Sequence, residues 1–330
     1  MRYIIIGAGA VGGVIGGRLA QSGNDVVLVA RGAHLAALRE SGLRLVTPGG
    51  AETVRVPAVA DPAELGELRA DDLLVLAVKS QDTLAALAQW GNAPVEGGGI
   101  AADRLALVCA QNGVENERVA QRVFRTVYGM CVWLPATHVE PGIVLSHTAP
   151  LSGMLTLGLY PHGSDSTVRE FGKQLSDSNF DAPVVDDVMR WKYGKLLNNL
   201  GNALMALLDT SDEPAGDLWQ ACRAEGEAVL DKAGIAYNSE AERAAVQGDR
   251  MVVQPIEGGS RLGGSTWQSL ARETGSVEAD YLNGEIALLG RLHGVPTPVN
   301  DLLQRLVNEY ARERHRPSDL APSQLREMLG

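Results

Sequence analysis

The chain has 330 residues, 45% apolar and 21% charged, enough for two domains and a substantial core. Its 40 acidic and 29 basic side chains give a formal charge of -11, which argues against nucleic acid or an anionic membrane as partner, because neither phosphate surface would be neutralised. Cys109, Cys131 and Cys222 lie far apart with no CxxC, and read as reduced, buried side chains of a cytoplasmic protein. No ligand cluster predicts a metal, and no apolar run reaches the ~18 residues of a membrane span.

The opening run Met1 to Ile6 is too short for a leader's apolar core and breaks at once into glycine, so it reads as a first strand. Gly7-Ala8-Gly9-Ala10-Val11-Gly12 follows and fits G-x-G-x-x-G. A helix to about Ser22, a turn at Gly23-Asn24 and a strand from Asp25 to Ala30 complete a βαβ unit. In such a unit Gly7 permits the tight turn, Gly9 lets backbone approach a pyrophosphate, and Gly12 lets helix pack on strand. The helix N-terminus offers free N–H groups and a positive dipole to phosphate. Gly7, Gly9, Ala10, Val11 and Gly12 are therefore assigned to a dinucleotide cofactor. The second strand ends without the acid that would bond a ribose 2′-hydroxyl. Arg31 follows instead, and its planar fork suits a 2′-phosphate, which favours NADPH; a solvent-exposed loop arginine is the alternative.

His34 to Glu40 reads as a helix, and Leu43–Val46 with Thr53–Val59 as a hairpin around Pro48-Gly49-Gly50. Leu73 to Val78 and Leu105 to Ala110 are continuous apolar runs, the pattern of parallel strands buried on both faces. Ligands in such sheets bind outside the carboxyl ends of strands, where Lys79 and Asn112 stand. A solvated strand-end lysine and a plain Asn-Gly turn are the respective alternatives. From Tyr128 to about Val185 the chain turns β-rich, with Gly142–His147 and Met154–Leu159 expected to extend the sheet. A helix over Ser166–Asp177 and a short strand over Ala182–Val185 follow. His138 and His147 read as structural histidines.

From Asp186 the periodicity is helical, with helices expected at about 187–208, 214–234, 238–247, 265–274, 276–293 and 298–313. The boundary falls near 185, giving a cofactor domain over 1–185 and a helical domain over 186–330. Thr297 should cap the last of these helices, with Pro298 at its first position. In the helix 187–208, Lys195, Asn198, Asn199 and Asn202 share an arc of roughly 100°, opposite Leu196, Leu197, Leu200 and Leu204. Each asparagine costs helix stability by ~0.5 kcal/mol, and functional sites are where local preference tends to be violated. A polar pocket around one lysine is the functional reading, and an Asn-rich solvated face the bland one. Ser265, Gln268 and Glu278 stand out further on, whereas Asp280 and Asn283 read as braces between helices.

Taken together, Gly7-x-Gly9-x-x-Gly12, Arg31, Lys79, Asn112-Gly113, Lys195-x-x-x-Asn199, Ser265-x-x-Gln268 and Glu278-x-Asp280-x-x-Asn283-Gly284 resemble the ketopantoate reductase (2-dehydropantoate 2-reductase) family over nearly the whole chain up to about residue 313. The resemblance implies an α/β fold: an N-terminal Rossmann-type NAD(P)-binding domain, then an all-helical C-terminal domain of the 6-phosphogluconate dehydrogenase type. It implies Lys195 as general acid and Glu278 as its partner. It gives Asn112, Asn199, Asn202 and Ser265 to substrate or nicotinamide, and Lys79 and Arg31 to the NADPH side. The implied reaction is reduction of ketopantoate to pantoate in pantothenate and coenzyme A synthesis. Another 2-keto acid, or an NADPH-binding sensor without turnover, are the competing readings. The oligomeric state is open, a homodimer included. Ala203 stands where the family commonly has a second Asn, and Gly275-Ser276-Val277 where it has Arg-x-Thr before the key acid.

Overall fold

The computed structural model describes residues 1–256 and 263–330. The chain runs through β1 (Arg2–Ile6), α1 (Ala10–Gln21), β2 (Asp25–Val29), α2 (Gly32–Ser41), β3 (Leu43–Thr47), β4 (Gly50–Val54), β5 (Ala58–Val59) and β6 (Asp72–Leu76). It continues with α3 (Thr83–Gly91), α4 (Ala101–Arg104), β7 (Ala106–Cys109), α5 (Asn116–Ala120), β8 (Thr126–Trp133), β9 (Ala136–Glu140), β10 (Ile143–Ser146), β11 (Thr148–Pro150), β12 (Gly153–Leu159), α6 (Ser166–Asp177) and β13 (Phe180–Asp181). Then come α7 (Val188–Asn199), α8 (Gly201–Leu207), α9 (Gly216–Ala233), α10 (Glu240–Gln247), β14 (Met251–Val253), α11 (Ser265–Ala271), α12 (Asn283–His293), α13 (Pro298–Glu313) and α14 (Pro322–Leu329).

Two compact units emerge: Met1–Trp191 with Glu240–Arg261, and Lys192–Ser239 with Leu262–Gly330. Where the sequence places a single boundary near 185, the segment containing α10 and β14 groups with the first unit. The cause is long-range pairing: β14 runs antiparallel to β11, with Thr148 opposite Val253 and Pro150 opposite Met251.

The first unit holds an eight-stranded sheet in the order β13-β12-β8-β7-β6-β1-β2-β5. The strands from β5 to β8 in that order are parallel, and β12 runs antiparallel to β8. The chain moves from β1 outward through β2 on one side and returns through β6 on the other, so the switch point lies between β1 and β6. The apolar runs are continuous because alternate residues serve two cores. Tyr3, Ile5, Val75 and Val108 join one with Val14 and Phe171, while Ile4, Ile6, Leu74 and Leu107 join the other with Trp90 and Phe124. Below the strands, Arg2 holds Asp72 through two hydrogen bonds of 2.8 and 2.6 Å in a buried pair.

Two strand expectations are corrected. Thr53–Val59 is not one strand: its first residues close the β3–β4 hairpin, and Ala58–Val59 crosses to the edge of the main sheet beside β2. Residues 143–146 do not extend the main sheet; β10 pairs parallel with β3 in a second sheet ordered β4-β3-β10-β9. Met154–Leu159 does extend the main sheet, as β12. Its parallel neighbour is β13 at Phe180–Asp181, slightly earlier than expected, with Val184 making an isolated bridge to Leu157.

In the second unit the expected helix 187–208 is interrupted at Leu200, between α7 and α8. Leu200 keeps helical dihedrals of φ -56° and ψ -38°, and Asn283 braces this point: its Nδ2 donates to the Leu200 carbonyl at 3.1 Å and to Asn300 Oδ1 at 2.9 Å. Asn300 Nδ2 in turn donates to the Cys222 carbonyl and to Glu225. Thr297 does not cap α13. Its hydroxyl donates to Asp301, and the carboxylate of Glu225 on α9 accepts from the amides of Val299 and Asn300. The expected helix 276–293 is also divided, into a single 3-10 turn at Ala279–Tyr281 and α12. Asp280 is drawn toward α13 by Gln304 and Asn308, each donating at 2.7 Å. The bracing role expected of Asp280 and Asn283 is what these bonds perform. The C-terminal helix α14 is tied down by Arg326, which bonds Asp217 and Glu213 and pulls the Asp217 carboxyl down to about 2.

Candidate functional site

The glycine-rich loop joins β1 to α1 at the switch point. Gly7 has φ 102°, the left-handed region, and its N–H donates to the Val29 carbonyl. A Cβ at Gly7 would lie 2.9 Å from the Val78 nitrogen, so the turns after β1 and β6 are in contact. A Cβ at Gly12 would lie 2.2 Å from the Gly7 carbonyl oxygen, 2.9 Å from Ile5 and 3.0 Å from Ala77. Gly9 is different: a Cβ there would meet nothing within 4 Å. Close packing explains Gly12, whereas only room for something else explains Gly9. The amides of Ala10, Val11 and Gly12 open α1 and have no intrahelical acceptor by geometry, and no acid occupies this first turn. That combination fits a pyrophosphate. Arg31 follows the end of β2, exposed, with its guanidinium unbonded among the described residues.

Lys79 and Asn112 stand at the ends of β6 and β7, both half-buried. A buried network fastens their loops together. Gln111 Nε2 donates to the Val78 carbonyl and to Thr83 Oγ1, both at 2.9 Å. Thr83 donates to Asn116 Oδ1 at 2.8 Å, and Asn116 Nδ2 donates to Ser80 Oγ at 3.1 Å and to the Asn112 carbonyl at 2.9 Å. Asn112 Oδ1 itself is shielded from solvent and accepts no hydrogen bond among the described residues.

In the second unit, Lys195 is half-buried on α7, and Asn199, four residues on, is 5% exposed. The arc of amides read from the sequence is sorted by the structure. Asn198 Nδ2 turns back to its own helix and donates to the Gly194 carbonyl at 2.9 Å. Asn199 Nδ2 is buried and donates to nothing among the described residues. Asn202 lies beyond the interruption, on α8, and a Cβ at Gly264 would sit 3.1 Å from its Oδ1. Gly264 caps α11, whose first residue is Ser265, so Asn202 and Ser265 are brought to one place. Glu278 is half-buried just before the 3-10 turn. Lys192, which the sequence did not single out, is the more buried lysine at 3% exposure. An unmade hydrogen bond on a buried polar group costs about 1–3 kcal/mol, so Asn112 and Asn199 are the two predicted residues whose geometry asks for a polar ligand. No group of His, Cys, Asp and Glu among the described residues could hold a metal. No helix among them is long and apolar enough to cross a membrane.

The family model described as "Ketopantoate reductase PanE/ApbA" matches residues 3–162, and its C-terminal companion matches residues 187–311. The chain belongs to the ketopantoate reductase family. It is thereby an oxidoreductase acting on CH–OH groups, in a family that depends on NAD(P). Among its relatives in this family, the 2-dehydropantoate 2-reductase of Mesorhizobium japonicum is 31% identical, over 95% of this chain and 99% of that one. That of Pyrococcus horikoshii is 28% identical over 93% and 96%. Among solved structures, a PanE/ApbA family ketopantoate reductase from Ralstonia eutropha JMP134 matches with a TM-score of 0.76 and 28% identity, covering 96% of this chain and 100% of that chain. D-mandelate dehydrogenase with NADH and anilino(oxo)acetate shares the fold at a TM-score of 0.76 and 23% identity.

The residues that sequence reasoning missed in this ketopantoate reductase fold are the ones that hold the site rather than line it: Asn116, Thr83 and Gln111 in the first unit, Asn300 and Glu225 in the second. Their only sequence signal is polarity inside apolar surroundings, as with Thr83 opening an alanine- and leucine-rich helix.

Proposed function

We propose that the protein reduces 2-dehydropantoate to pantoate with NADPH. Gly7, Gly9, Ala10, Val11 and Gly12 would cradle the pyrophosphate, Arg31 the 2′-phosphate, and Lys79 and Asn112 the part of the cofactor beyond the switch point. When bound, NADPH supplies the hydride. As the substrate's keto carbon becomes a CH–OH, negative charge grows on its oxygen, and a positioned ammonium stabilises that charge and gives up a proton to it. Lys195 Nζ is the proposed donor, with Glu278 its partner near the new hydroxyl. Asn112, Asn199, Asn202 and Ser265 hold the keto acid without neutralising the lysine. Cytoplasmic location accords with this soluble-substrate chemistry.

The observation that carries this reading is the buried, unsatisfied Asn199 Nδ2 one helical turn beyond Lys195, in a chain matched by both halves of the family. Ala203 and Gly275-Ser276-Val277 favour a second reading, a related branched 2-keto acid, because they depart from the family pattern beside the substrate residues. Purified protein should oxidise NADPH with 2-dehydropantoate faster than with other branched 2-keto acids. A reversed preference supports the second substrate. NADPH binding without oxidation by any 2-keto acid would make the protein a sensor and end both readings.

A further inference from the structure

One histidine outside the predicted site reaches the cofactor loop from the first turn of α2, three residues after Arg31. The backbone N–H of Gly142 donates to His34 Nδ1 at 2.9 Å. Nδ1 therefore carries no proton, and in the neutral ring the hydrogen is on Nε2. Nε2 is 2.7 Å from the Ala8 carbonyl oxygen and donates to it. Both ring nitrogens are thus committed, one to the glycine-rich loop and one to the turn between β9 and β10. The ring is further fixed by His138, edge-on with centroids 4.4 Å apart at 61°. The turn is pressed against α2, since a Cβ at Gly142 would lie 3.1 Å from that of Ala37.

We propose that His34 is a positioning residue for the pyrophosphate of NADPH, acting through the Ala8–Gly9 peptide. A trans peptide is rigid and planar, with its C=O and N–H on opposite sides. Holding the Ala8 carbonyl on the imidazole therefore turns the Gly9 N–H the other way. Gly9 is the residue beside which space is open where a side chain would stand. With the imidazole in place the loop enters binding already ordered. Without it the peptide plane is free to rotate, and that freedom is lost on binding at a cost in affinity. The inference rests on the NADPH reading given above.

The test compares wild type, His34→Ala and His34→Gln by calorimetric titration with NADPH and with 2′-AMP, a probe that keeps the 2′-phosphate and lacks the pyrophosphate. Glutamine offers a donor and an acceptor in place of the two ring nitrogens. One lost hydrogen bond corresponds to a rise of about tenfold in the NADPH Kd of His34→Ala. His34→Gln should recover most of that loss, and 2′-AMP should bind all three forms alike. A wild-type NADPH Kd in His34→Ala, an equal loss for both ligands, or no rescue by glutamine overturns the proposal. The imidazole tautomer, read by nitrogen NMR on the wild-type protein, needs no variant to fold: Nε2–H is expected, and Nδ1–H overturns the proposal as well. Wild-type protein that fails to bind NADPH overturns the cofactor reading itself, before any variant is compared.

Discussion

Alanine at Gly9 and at Gly12 should have opposite consequences for folding and binding. Gly9 has φ -70° and ψ -152°, backbone that alanine adopts readily, and its new Cβ would meet nothing within 4 Å. Gly9→Ala should therefore fold with a stability within about 1 kcal/mol of wild type, raised if anything by reduced freedom of the unfolded chain. The space that its methyl fills is the space assigned to the pyrophosphate. NADPH binding should fall by about a hundredfold, equivalent to about 2.7 kcal/mol. At Gly12 the Cβ would be forced to 2.2 Å from a backbone oxygen that has no rotamer to change. Overpacking of this kind costs about 3 kcal/mol. At roughly 2–4 °C per kcal/mol, the melting temperature of Gly12→Ala should drop by roughly 6–12 °C. Thermal melts and NADPH titrations of the two variants give both numbers. Gly9→Ala binding NADPH as tightly as wild type would refute the argument, because the open space would then not be where the cofactor lies.

Further outcomes follow from individual contacts. Asp72→Ala leaves the buried Arg2 guanidinium without its carboxylate and should lower unfolding free energy by about 3–5 kcal/mol in a denaturant titration. Asn283→Ala strips a donor from the Leu200 carbonyl and from Asn300, so KM for the keto acid should rise with little change in KM for NADPH, checked by steady-state kinetics. Burial pushes the Cys222 thiol up to about 12, so its neutral form is favoured in the fold. The unfolded chain ionises first as pH rises, and from about pH 9 to 12 wild type should lose up to about 1.4 kcal/mol more per pH unit than Cys222→Ala, seen in paired alkaline melts.

The main sheet was legible because its signal is local. A run such as Leu73 to Leu76 feeds two cores by simple alternation, whatever its neighbours are. The smaller sheet was not, because β10 could reveal its partner only through β3, far along the chain. The helix interruptions at Leu200 and Leu282 share that origin. The local pattern around each is helical, and the polar bonds that meet it there, from Asn283 to Leu200 and from α13 to Asp280, come from residues far along the chain. Thr297 looked like a cap from its neighbours alone, while the acceptor that serves α13 is Glu225 on another helix. The site divides in the same way. The glycine loop could be read from spacing, since the whole signature lies within residues 7–12, even though Gly7 packs on Val78 and Gly12 on Ala77 far along the chain. The hub of Asn116, Thr83 and Gln111 could not, because three ordinary polar residues become a network only when two strand ends meet. Lys195 and Asn199 keep their one-turn relation on α7, and Asn202 follows on α8, where Gly264 and the start of α11 meet it.

The central claim is that Lys195 delivers the proton while NADPH delivers the hydride. Turnover of wild type and Lys195→Ala with saturating NADPH and 2-dehydropantoate tests it most directly. Loss of the positioned acid should lower kcat by about 10²–10⁴-fold, with NADPH binding retained. Wild-type turnover in Lys195→Ala would contradict the account.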